Sequence, residues 1–158
     1  MTNRNHDRIV IRRLEKTDAI PYDLLLMADP SKENIDKYIF DSSIYEGSRY
    51  GQIIGCYVLC TVDKEVIEIK NIVIDEKHQG KGLGTILLND AIEKSRVTGF
   101  KKVIIGTGNS SVGQLYLYQK VGFRITDIKS NFFIDNYSEP IFENGIACSD
   151  MIVLTKEL

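Results

Sequence analysis

The chain is poor in the features that staple, anchor or extend a protein. It has three cysteines in 158 residues. Cys56, Cys60 and Cys148 show no C-x-x-C spacing and no histidine pair lies near them, so no zinc site is expected. Cys56 and Cys60 fall four apart in a predicted strand, on one face and too far apart to bridge, which points to a reduced, cytoplasmic chain. Prolines number only 3, and 43% hydrophobic with 27% charged residues is the composition of a globular protein, not of a disordered or collagen-like one. No apolar run approaches the ~20 residues of a membrane-spanning helix, and Met1–Arg8 has no apolar core of a secretory signal, so no membrane partner is expected. Neither sign of charge dominates: 20 Lys and Arg face 22 Asp and Glu, a net charge of −2. That balance argues against a protein whose work is to coat nucleic acid. There is no internal repeat, low-complexity tract or linker. The expectation is one domain over residues 1–158, long enough to bury on the order of 70% of its unfolded surface.

The apolar pattern alternates over Arg8–Leu14, which predicts a first strand, and Thr17 or Asp18 offers a helix N-cap after it. Ile20, Leu24, Leu25 and Ala28 fit a helical period that Pro30 closes, and Ser31 opens a second helix carrying Ile35, Tyr38 and Ile39. From Ser43 to Asp75 the residues turn β-rich, with turns at Gly47–Gly51 and Val62–Glu65, as in an antiparallel meander of three strands. A helix is predicted from about Leu83 to Gly99, a strand at Lys102–Gly106, a helix at Ser111–Val121 and a strand from Phe123. A long loop over Asp135–Gly145 then leads to a last strand, Cys148–Leu154. The fold class read from this order is a mixed α/β sheet in one domain.

The most informative stretch is a strand followed by Gln79-Gly80-Lys81-Gly82-Leu83-Gly84 and a helix. Glycines let backbone approach a ligand closely, and the first-turn amides of a helix have no partner within it, so such a loop suits phosphate. The plainer alternative is a glycine-rich surface turn. Neither the dinucleotide fingerprint nor the P-loop spacing is met, because the third glycine comes one residue too early for the first and no Gly-Lys-Ser/Thr follows for the second.

The segment Glu68-Ile69-Lys70-Asn71-Ile72-Val73-Ile74 with the glycine loop resembles the strand and pyrophosphate loop of the GNAT superfamily of acetyl-CoA-dependent N-acetyltransferases. Leu117-Tyr118-Gln119-Lys120-Val121-Gly122-Phe123 is similar to that family's closing helix, and the order of elements over most of the chain is the family's. The resemblance implies a mostly antiparallel sheet flanked by helices, with acetyl-CoA as acyl donor and direct transfer in a ternary complex. It implies that Gln79, Gly80, Lys81, Gly82, Leu83, Gly84 and Thr85 cradle the pyrophosphate. The Ile72 N–H would face the thioester carbonyl, and the Ile74 backbone would pair with pantetheine. The asparagine that the family often carries seven residues before its tyrosine is Ser111 here, and Asn109 is the residue expected to reach the pantetheine arm.

Acetyl transfer to an amine needs a deprotonated nucleophile, and a free alkyl amine with a pKa near 10.4 is almost wholly protonated at neutral pH. Glu68 matches the strand position at which some family members place a general base; its alternative is a solvated residue or one paired with Lys70. Tyr118 is the candidate acid for the departing thiolate, and its alternative is a core aromatic. Tyr116 and Tyr118 cannot face the same side of one helix. Lys77 and Lys81 could assist phosphate, and His6 and His78 carry no evident chemistry. A silent CoA-binding module, or a transferase of another acyl group, stands as the rival reading. The acceptor is expected to be a small-molecule amine. The Asp135–Gly145 segment, with three carboxylates and no Lys or Arg, would attract a cationic one, or else pack its aromatics on a second subunit of a homodimer.

Overall fold

Alternating side chains build β1 (Val10–Arg13), which pairs antiparallel with β2 (Ser43–Arg49), and β2 pairs antiparallel with β3 (Gln52–Thr61). The structure is a computed structural model that describes residues 8–158. Two compact units make up the chain: residues up to Thr61 with Ile69–Glu93, and Val62–Glu68 with Lys94–Leu158. The secondary structure is the expected mixed α/β, with antiparallel strand pairs and flanking helices.

In the first unit the helices are α1 (Tyr22–Ala28), α2 (Lys32–Asp36) and α3 (Leu83–Val97, to Glu93 within the unit), and from Ile69 the unit includes β4 (Val66–Ile74). β3 is buried on both faces from Ile54 to Leu59, so its sequence reads as a continuous apolar run and not as an alternation. Leu24, Leu25, Ile35 and Ile39 pack with Cys56, Val58 and Val73 in one core cluster. Tyr57, stacked on Tyr45 at 4.8 Å, donates its hydroxyl to the Asp90 carboxylate of α3 at 2.7 Å.

Two boundaries of the first unit differ from expectation. Asp18 does not cap a helix, because its carboxylate accepts from Arg12 Nη1 at 2.8 Å and from the Glu15 N–H at 2.7 Å. α1 starts after Pro21, whose carbonyl accepts the Leu24 and Leu25 amides. Likewise β2 runs through Gly47 and Ser48 with a bulge, and the turn is confined to Tyr50-Gly51, both at positive φ. Ser31 caps α2 as expected, its side chain accepting from the Asn34 N–H at 3.1 Å.

The second unit holds β5 (Lys102–Gly108), α4 (Val112–Val121), β6 (Arg124–Lys129), α5 (Phe132–Asn136) and β9 (Met151–Glu157). β9 lies between β5 and β6, antiparallel to both. The expected long loop contains the end of α5 and a small hairpin, β7 (Phe142–Glu143) and β8 (Ile146–Ala147), turned by Asn144-Gly145. The last strand starts three residues later than expected. Ser149 and Asp150 donate their N–H groups to Asn109 Oδ1, at 2.9 and 3.0 Å, and are held outside the ladder. Among the described residues no helix is long and apolar enough to cross a membrane, and all three cysteines are free thiols.

Candidate functional site

Beyond Ile74 the chain leaves β4 in a short 3₁₀ turn, Glu76–His78, with the Asp75 carboxylate accepting the Lys77 N–H at 3.0 Å. Gln79 Nε2 donates to the Ile74 carbonyl at 2.9 Å, which fastens the start of the loop to the end of the strand. Gly80 and Gly82 have φ of +75° and +78°, and nothing lies within 4 Å of where a Cβ would stand at either. Left-handed backbone and open space in front of it are what close approach by a ligand requires. α3 begins at once, with Leu83 buried and Gly84 and Thr85 half-buried in its first turn. The first-turn amides have no partner four residues back and add a partial positive charge there. Alongside is an open depression of about 760 Å³ whose lining includes Arg8, Arg49, Lys81, Leu83, Ile86 and Asp90. Lys77 and Lys81 are exposed, and His78 is half-buried.

β4 alternates. Ile67, Ile69, Asn71 and Val73 are buried, whereas Glu68, Lys70 and Ile72 are more open. Asn71 is the exception to the chemistry of its row: a polar side chain only 5% exposed. Its Nδ2 donates to the Leu25 carbonyl and to the Tyr38 hydroxyl, both at 3.2 Å. Among the described residues no donor reaches its Oδ1. Sequence reasoning passed over Asn71, although an asparagine at a core position of an alternating strand is itself a signal. Tyr38 is partly buried, and that burial pushes its phenol up to about 12.

In the second unit, Asn109 has its side chain committed: Nδ2 donates to the Ala147 carbonyl at 3.1 Å, and Oδ1 accepts the two amides of Ser149 and Asp150. Ser111 precedes α4 without capping it; its hydroxyl donates to Glu143 at 2.9 Å, and Ser110 does the same at 3.3 Å. Tyr118 is 5% exposed and Tyr116 67%, the opposite-face arrangement that the helix period requires. Burial raises the Tyr118 phenol above its ordinary value, and its ring leans on Phe123 at 6.1 Å. The structure thus gathers Ile72, Ile74 and the loop Gln79–Thr85 in the first unit. Asn109 and Tyr118 belong to the second, and Glu68 stands where β4 crosses from one to the other. His6 lies outside the described residues. Among the described residues no group of three His, Cys, Asp or Glu could hold a metal ion.

The family model of the GNAT acetyltransferases matches residues 12–123, from β1 to the end of the α4 motif. The chain belongs to the GNAT family. A GNAT family acetyltransferase from Elizabethkingia anophelis, solved with acetyl-CoA bound, is 58% identical. That structure superposes with a TM-score of 0.94 over 96% of this chain and 99% of its own. An IAA acetyltransferase from Bacillus cereus is 48% identical, with a TM-score of 0.92 over 96% of this chain and 100% of that one. The uncharacterized N-acetyltransferase YvbK of Bacillus subtilis is 46% identical over 98% of this chain and 99% of its own length. Family membership makes this GNAT protein an acyltransferase that depends on acetyl-CoA.

Proposed function

We propose that this GNAT protein transfers the acetyl group of acetyl-CoA directly to a primary amine of a small acceptor. The observation that carries the reading is the glycine loop, open at Gly80 and Gly82, in a chain 58% identical to a relative that holds acetyl-CoA. Gln79, Gly80, Lys81, Gly82, Leu83, Gly84 and Thr85 would take the pyrophosphate on backbone amides, with Gln79 keeping the loop in place. The Ile72 N–H would meet the thioester oxygen and stabilise the charge that develops on it. The Ile74 backbone would continue the contact along pantetheine. Asn109, its side-chain amide held by residues 147–150, would meet the pantetheine arm from the β5–α4 junction.

In the proposed reaction the amine nitrogen forms a bond to the acetyl carbon, the carbon–sulfur bond breaks, and the electron pair leaves on sulfur. Glu68, directly or through a water, takes the proton lost by the amine. Tyr118, kept protonated by its burial, gives a proton to the thiolate. Asp135 and Glu139 remain exposed near the β7–β8 hairpin and favour a cationic acceptor, whereas Glu143 is bonded to Ser110 and Ser111. Free cysteines suit a reducing cytoplasm.

The test is thiol release from acetyl-CoA against a panel of polyamines, arylalkylamines, amino sugars and amino acids, with IAA included because one relative is named for it. Release that depends on one acceptor class and yields the N-acetylated product is the expected result. Binding of acetyl-CoA with no release for any acceptor would mark a silent CoA-binding module. Faster release from propionyl-CoA than from acetyl-CoA would move the assignment to another acyl group.

A further inference from the structure

Asn71 stands in the row of β4 that otherwise carries Ile67, Ile69 and Val73, and it is 5% exposed. More than nine in ten buried polar groups are hydrogen-bonded, and leaving one without a partner costs roughly 1–3 kcal/mol. Its Oδ1 is such a group among the described residues. The assignment of the amide is set by its neighbours. The Leu25 carbonyl can only accept, so the nitrogen must face it, and turning the amide over would set two carbonyl oxygens against each other. A tether to α1 needs that nitrogen alone. Moreover, the Leu25 carbonyl already receives the Asp29 N–H at 3.0 Å. The tether therefore explains half of the side chain and leaves the oxygen unexplained.

What the oxygen lacks is a donor, which excludes carboxylate, phosphate and carbonyl groups as its partner and selects an N–H or O–H. The Tyr38 hydroxyl, 3.2 Å from Asn71 Nδ2, supplies a second polar atom beside the amide that can both donate and accept. Asn71 also immediately precedes Ile72, so its side chain leaves the strand one residue, about 3.8 Å of backbone, from the amide proposed to face the thioester oxygen. An amine whose N–H is held by Asn71 has its lone pair free to meet the acetyl carbon, and fixing that orientation is itself a source of rate.

We infer that Asn71 is a substrate-binding residue: its side-chain oxygen accepts a hydrogen bond from the acceptor amine, with the Tyr38 hydroxyl as second contact. The inference rests on the acetyl-transfer reading above, and its test separates the two. Wild-type protein is assayed for thiol release with tyramine and with spermidine, then the variants Asn71→Leu and Tyr38→Phe. Tyr38→Phe keeps the ring and the Asn71–Leu25 bond, so it stays informative if Asn71→Leu does not fold. The expected result is a KM for the amine raised roughly tenfold in each variant, as for the loss of one good hydrogen bond, with the KM for acetyl-CoA within about twofold of wild type.

A second readout needs no turnover. The Asn71 side-chain amide signals in a proton–nitrogen spectrum, assigned by their loss in Asn71→Leu, should shift when tyramine is added to the CoA-loaded protein. Wild-type amine KM in both variants, or unmoved Asn71 signals while others shift, would show that the oxygen is served by water and overturn the inference. Parallel losses for both substrates in Asn71→Leu, with Tyr38→Phe at wild-type values, would reduce Asn71 to a tether and overturn it too. Failure of the wild type with every amine overturns the acetyl-transfer reading and this inference with it.

Discussion

A single hydroxyl carries the proposed acid step. Tyr118 is buried, and without an opposing charge burial moves its phenol in one direction only, toward holding its proton. A donor that never ionises near neutrality gives a rate insensitive to its own titration. Tyr118→Phe removes only the oxygen and leaves the ring on Phe123, so kcat is expected to fall by roughly 10²- to 10⁴-fold while the affinity for acetyl-CoA stays nearly unchanged. Stopped thiol release and calorimetric titration of acetyl-CoA check the two halves. In wild type, kcat should show no decline from this group as pH rises to about 10, the ordinary tyrosine value. Wild-type turnover by the phenylalanine variant would mean that the thiolate leaves unprotonated or takes its proton from water.

The loop and the start of α3 act as one element, because the positive φ at Gly80 and Gly82 sets the direction in which the first-turn amides look. Gly82→Val places a branched side chain on left-handed backbone and into the space proposed for the pyrophosphate. Acetyl-CoA at about 100 times its dissociation constant should stabilise the wild type by about 2.7 kcal/mol, read as a higher Tm. In Gly82→Val that rise should vanish while the far-ultraviolet spectrum stays native; an undiminished rise would place the donor elsewhere. This element was the most legible in the sequence, since strand, glycines and helix follow one another without a tertiary contact having to decide them. Ser31 was legible for the same reason, its cap being local. Asp18 was not, because Arg12 on a neighbouring strand competes for the same carboxylate. Nor was the anchoring of Asn109, whose partners lie 38 to 41 residues away. The β7–β8 hairpin could have been found, since Asn144-Gly145 is a strong hairpin turn. Asn71 was hidden for the opposite reason: it sits among strand formers in sequence, and its partners on α1 and beyond α2 come from 46 and 33 residues upstream.

At the scale of the whole molecule, the groups among the described residues that burial perturbs most are neutral acids and not charged ones. Cys56 is pushed from 9.0 up to about 12 and Tyr38 from 10.0 up to about 12, and burial also raises Tyr57 and Tyr118. Tyr57 is held further by its bond to Asp90, since a phenolate beside that carboxylate would be repelled. All four shifts have one sign: the folded chain keeps protons that the unfolded chain releases. Between the unfolded and folded pKa values the native state therefore binds more protons, and stability must fall as pH rises. The contribution of Cys56 is fully present below about pH 9 and is lost as pH climbs toward 12. The tyrosines follow from about pH 10. Thermal melts between pH 7 and 11.5 should be flat at first and then decline steeply above about pH 9.5. Cys56→Ala should postpone the start of that decline, because the first of the four groups to titrate in the unfolded chain is removed. A Tm that holds to pH 11 in the wild type would mean that the interior opens to water around these groups and that their protons are not kept by the fold.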